Sequence, residues 1–132
     1  MEPIIDCLIP LPLVPGGRLK NQIITLNNIG KIHWSILSKA KRKFKEMLKT
    51  WILDENQGEK FKSLKIEVTI IRHNKRKIDA DNPIIAYKWT MDMLTELGWV
   101  EDDCRNTLIL NPSKYDPERN ETLMDLKVWG NQ

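Results

Sequence analysis

The stretch LKIEVTIIRHNKRKIDADNPIIAYKWTMDMLTELGWVEDD, residues 64–103, decides the fold. Its first seven residues alternate: Leu64, Ile66, Val68 and Ile70 are apolar, while Lys65, Glu67 and Thr69 are polar. A period of two belongs to a strand with one buried face. A basic loop follows, Arg72-His73-Asn74-Lys75-Arg76-Lys77. Asp81-Asn82-Pro83 then reads as a helix start, because Asn82 or Asp81 can cap and Pro83 suits the first helical position, where no N–H is needed. On a helical wheel Ala86, Trp89, Met93, Leu94 and Leu97 share one side, and Lys88, Asp92 and Thr95 the other. Gly98 is a natural stop, and Glu101-Asp102-Asp103 forms an acidic turn beyond it.

Upstream, residues 4–14 are apolar and bounded by prolines, which suits an edge strand. Gly16 and Gly17 mark a turn, and Ile23 to His33 is expected to be a second strand, bent at Asn27-Asn28-Ile29-Gly30. From Trp34 the period becomes helical: Trp34, Leu37, Ala40, Phe44, Leu48 and Trp51 form an apolar series. The remainder carries Lys39, Lys41, Arg42, Lys43, Lys45 and Lys49, so an amphipathic helix with a basic face is expected, ending near Asp54 to Gly58. Downstream, strands are expected around Thr107 to Asn111 and Leu123 to Trp129, with Pro112 to Asn120 as the loop between them. The order β-β-α-β-α-β-β describes an α+β domain with two main helices and a small antiparallel or mixed sheet. No repeat, low-complexity tract or linker interrupts it, so residues 1–132 read as one domain.

The totals fit that reading. Hydrophobic residues make up 41% and charged residues 30%, a globular rather than a disordered balance. A formal net charge of +3 does not by itself imply a nucleic-acid partner; the placement of charge has to decide. Cys7 and Cys104 have no metal-ligand spacing, and reduced thiols are expected. The opening MEPIIDCLIPLPLVPGG has early acids, four prolines and no basic segment, so neither a signal peptide nor a membrane span is expected, and the cytoplasm is the expected location.

Chemistry concentrates at Lys77-Ile78-Asp79-Ala80-Asp81-Asn82. Residues two apart in an extended segment point the same way, which would set the Asp79 and Asp81 carboxylates side by side. Two such charges repel unless a cation or proton joins them, and hard oxygen ligands suit Mg²⁺ or Mn²⁺. Each cluster alone has an ordinary alternative: Asp-Asn before a helical proline is a common cap, and Glu-Asp-Asp a common solvated turn. A strongly basic loop directly before the carboxylates is harder to assign to a cap alone.

Asp79-Ala80-Asp81-Asn82, a helix carrying Lys88 and Asp92-Met93-Leu94, then Gly98 and Asp102-Asp103, together resemble the signature of the RusA family of Holliday junction resolvases. The resemblance is sharp over residues 79–103 and looser over the flanking strands. It implies that Asp79, Asp81 and Asp103 bind a divalent metal, with Asp102 as the substitute if the register slips by one. It also implies that Asn82 orients Asp81, and that Lys88 stabilises negative charge on the scissile phosphate. One departure is visible. Counted forward from Asp81, the family's lysine position holds Ile85, so this chain carries three extra residues before Lys88. The ordinary alternative for Lys88 is an i,i+4 pair with Asp92 on a solvated face.

The expected activity is a Mg²⁺- or Mn²⁺-dependent endodeoxyribonuclease that cuts four-way junctions in recombination or repair, as a homodimer with two active sites. Family members are often carried by phages, which would place the protein in the host cytoplasm. Lys41, Arg42, Lys45, Arg72, Lys75, Arg76 and Lys77 are candidate phosphate contacts; solvation is the alternative for any one of them. Neither His33, which opens the helical stretch, nor His73, in the basic loop, is expected to carry chemistry. Trp99 and Trp129 read as core or interface residues. The competing functions are a broader flap or branched-DNA nuclease, and a branched-DNA-binding protein without catalysis.

Overall fold

A computed structural model describes residues 2–52, 60–75, 84–100 and 106–131. Five strands form one mixed sheet: β1 (Ile5–Pro10), β2 (Ser63–Arg72), β3 (Thr107–Leu110), β4 (Lys114–Tyr115) and β5 (Leu123–Asn131). The α-helices among the described residues are α1 (Trp34–Lys49) and α2 (Ile84–Glu96). The fold is α+β, with the strand order β1-β5-β2-β3 and the short β4 alongside the end of β2. The proline-bearing first strand lies at the edge, as its sequence implies, because proline offers no N–H to a second neighbour.

β5 runs antiparallel to both β1 and β2, so β1 and β2 are parallel to each other; β3 and β4 are also parallel to β2. Both helices are therefore crossovers between parallel strands, α1 from β1 to β2 and α2 from β2 to β3. Their N-termini lie at the carboxyl ends of those strands.

The alternation at residues 64–70 sets the layers. Leu64, Ile66, Val68 and Ile70 are buried, as are Ile5, Cys7 and Ile9 on β1 and Met124, Leu126 and Val128 on β5. The cross-strand register aligns these on one face. Above them sit Ala40, Phe44 and Leu48 of α1 and Ile85, Ala86, Trp89, Met93 and Leu94 of α2. The helices meet through Phe44 and Trp89, whose ring centres are 5.9 Å apart. The other sheet face carries Lys65, Glu67, Asp125 and Lys127, all half-buried. There Lys65 sits over the Trp129 ring, 5.0 Å from its centre, whereas Trp99 is core.

Gly98 ends α2 as expected. Its φ of +77° lets the Gly98 N–H reach Thr95 O and the Trp99 N–H reach Leu94 O, both at 3.0 Å. Those paired bonds are a Schellman cap.

Several expectations are corrected. No strand forms over residues 23–33. Leu13 and Ile23 make a single antiparallel bridge, and Ile29–Lys31 is a short 3-10 turn. The cause is Asn28: its Oδ1 accepts the Thr25 N–H at 2.9 Å and its Nδ2 donates to Ile23 O at 2.8 Å, taking backbone groups that a ladder would use. α1 stops at Lys49, short of the expected end. The Thr50 hydroxyl donates to Met47 O, and Ile52 turns away to bridge Ile5. The loop between the last two long strands holds β4. Finally, Trp34 and Trp51 do not join the apolar face of α1; they are 74% and 40% exposed. At about 100° per residue Trp34 stands roughly 80° from Phe44 around the helix, off the buried centre.

Candidate nucleic-acid interface

The carboxyl ends of β1 and β2 gather the features that suit a polyanion. The basic loop leaves β2 here. Arg72 pairs with Tyr115 across the parallel β2–β4 ladder, and its backbone carbonyl accepts the Asp116 N–H at 2.8 Å. Its Nη1 donates to Lys75 O at 3.4 Å, while its Nε is buried with no hydrogen-bond partner among the described residues. A guanidinium with a buried, unused donor is a group to be accounted for, since native structures leave few of these. His73 is tied down, with Nδ1 2.8 Å from Thr122 Oγ1. Lys75 is exposed.

α1 and α2 begin at the same end. His33 is the cap of α1, its Nδ1 accepting the Ser35 N–H at 3.2 Å and lying 2.7 Å from Ser35 Oγ. On α2, Lys88 is exposed and makes no ion pair among the described residues. The i,i+4 pair with Asp92 does not form because Asp92 is taken by Lys41, at 2.5 Å. One turn further on, Lys45 holds Glu96 at 2.5 Å. Two of the candidate phosphate contacts therefore join the helices together. Arg42 stays exposed.

Asp79, Asp81, Asn82, Asp102, Asp103, Arg76 and Lys77 lie outside the described residues. Their flanks are informative. The segment with Asp79 and Asp81 leaves from Lys75 and re-enters at Ile84, both at the carboxyl end of β2. The segment with Asp103 joins Val100, bridged to Phe61, to Asn106, whose Oδ1 accepts the Leu64 N–H at 2.9 Å. Those contacts are at the amino end of β2. Leu64 and Arg72, eight residues apart on the strand, are separated by roughly 26 Å. Among the described residues no group of three or more histidine, cysteine, aspartate or glutamate side chains could hold a metal ion.

Cys7 is not a nucleophile. Burial in the core, aided by the negative charges of Asp125 and Asp6, pushes its thiol up to about 12. No helix among the described residues is long and apolar enough to cross a membrane. The feature that sequence reading missed is Trp34, whose exposure a helical period could not reveal. No protein-family model matches the chain, and no curated protein matches it in sequence.

Proposed function

We propose that the protein is a metal-dependent endonuclease acting on branched DNA, four-way junctions in particular. The observation that carries this reading is the gathering at one end of the sheet. The Arg72–Lys75 loop, both helix N-termini and Lys88 stand where the Asp79–Asp81 segment joins the described chain, and neither the Arg72 Nε nor Lys88 has a partner among the described residues. Ligands of open α/β sheets bind outside the carboxyl ends of the strands, and helix N-termini favour phosphate.

In this reading Asp79, Asp81 and Asp103 hold Mg²⁺ or Mn²⁺, by the chemistry of hard oxygen donors. Bound there, the ion would supply an activated water and neutralise charge on the phosphate. Arg72 and Lys75 hold the backbone of the substrate, and Lys88 stabilises charge developing on the scissile phosphate. Two cuts across a junction call for two copies of the site, which a twofold homodimer provides.

A second reading has a specific observation behind it. The parallel course of β3 sets Val100 and Asn106, which flank the segment with Asp103, at the amino end of β2, whereas Lys75 and Ile84, which flank the segment with Asp79 and Asp81, are at its carboxyl end. That favours a branched-DNA-binding protein without cleavage. One assay separates the two: labelled four-way junction, flap and linear duplex, each incubated with Mg²⁺, Mn²⁺ or EDTA. Paired nicks on the junction with metal only, abolished by Asp81→Asn with binding retained, support the endonuclease. Cutting of every branched form widens its substrate range. Tight binding without cutting supports the second reading, and no binding rejects both.

A further inference from the structure

Trp34 is the most exposed large hydrophobic residue among those described, at 74%. It opens α1 beside the cap residue His33, and the two rings lie 5.5 Å apart with 32° between their planes. His33 is held in turn by Ser35. The result is a broad aromatic surface, fixed on a helix end and unused by the core.

Its place follows from the ion pairs. Lys41–Asp92 and Lys45–Glu96 both join residues 51 apart, so α1 and α2 run in the same direction and in step. Two turns toward the N-termini, the same offset sets Trp34 level with Ile85 in the first turn of α2. The platform stands at the end of the sheet where the Arg72–Lys75 loop leaves.

Charge identifies the partner. Residues 7–45 contain no aspartate or glutamate and eight basic residues. Lys41 and Lys45 are spent on α2. Arg18, Lys20, Lys31, Lys39, Arg42 and Lys43 are exposed and make no ion pair among the described residues. They flank the platform in sequence, on the segment that leads into α1 and on α1 itself. Gly17, next to Arg18, lies against Ile36 in the first turns of α1, and Lys20 and Lys43 line one groove. A second copy of this chain would bring the same cations face to face, which is repulsive. A polyanion that also offers flat π-faces is a nucleic acid with bases out of the stack.

We infer that Trp34, backed by His33, is a stacking platform for an unpaired base, with the surrounding cations holding the adjacent backbone. The inference rests on the nucleic-acid part of the proposed function and not on cleavage. A branch point is where a duplex-binding surface meets unstacked bases, so the platform would confer preference for branched over continuous duplex.

The test is binding in EDTA, read by fluorescence anisotropy, of a labelled single strand, a four-way junction with unpaired bases at its branch, and a covalently closed, fully paired circular duplex. Trp34→Ala should weaken binding to the first two roughly five- to 150-fold, the range for losing one stacked base. Affinity for the circular duplex should not change. Trp34→Phe keeps a π-face and should stay close to the wild type. Because Trp34 is outside the core, unchanged thermal unfolding of Trp34→Ala confirms that folding is not the cause. Equal affinity of Trp34→Ala and wild type for the single strand overturns the inference, as does an equal loss on all three substrates. A change of oligomeric state with DNA binding untouched also overturns it. If the wild type binds and cuts junctions while Trp34→Ala does so equally well, the platform alone falls; if the wild type binds none of the three, both readings fall.

Discussion

A Cβ placed on Gly130 would stand 2.4 Å from the ring of Phe61, closer than any real methyl group sits. Phe61 has little room to retreat. It is buried, its N–H donates to Trp99 O at 2.7 Å, and its ring lies 6.0 Å from that of Trp99. Gly130→Ala is therefore an overpacking change and should cost about 1–3 kcal/mol of stability, measured by denaturant unfolding. In a Phe61→Leu background the same substitution should cost less, since the contact is shared and the two effects are not additive.

The pairs that lock α1 to α2 are about charge allocation more than stability. The Lys41 and Asp92 side chains are 34% and 49% exposed, and Glu96 is 59% exposed. Asp92→Asn with Glu96→Gln should therefore lower stability by no more than about 1 kcal/mol per pair. The same double variant frees Lys41 and Lys45. If this face holds phosphates, DNA affinity should rise and the salt dependence of binding should steepen, as a salt titration of the binding constant would show.

Cys7 gives a prediction in pH. Its thiol rises from 9.0 unfolded to about 12 in the fold, so the folded state favours the neutral form. The stabilisation this represents is fully present below pH 9 and is lost as pH climbs toward 12. The stability difference between wild type and Cys7→Ala should thus shrink over that window. At pH 8, in a Cys104→Ser background, Cys7 should react with a thiol reagent about a thousandfold more slowly than an unfolded cysteine, because so little of it is thiolate.

Much of the scaffold is legible in the sequence, for identifiable reasons. The alternation from Leu64 to Ile70 and the helical series from Ala86 to Leu94 are direct records of burial, and Gly98 occupies a backbone conformation that favours glycine. Period two, however, carries no information about strand direction. That β3 runs parallel to β2, which sets Val100 and Asn106 at the amino end of β2 and leaves Lys75 at its carboxyl end, emerges only from the hydrogen-bond ladder. The segment around Asn28 misleads because a side-chain network replaces the strand that its apolar residues suggest. Trp34 misleads because hydrophobicity alone cannot separate a core residue from a surface one. Of the candidate site, Lys88, Arg72, Lys75 and the α1 cations are placed. The carboxylates lie outside the described residues.

β5 sits between β1 and β2, so the strand at the heart of the sheet is the last of the five to be synthesised. Ile5 finds its cross-strand neighbour in Val128. Until that final strand clears the ribosome, the two strands that flank it have nothing to bond between them. The sheet cannot close before that strand has been made, and a fold so dependent on distant partners gains stability late and all at once rather than piece by piece.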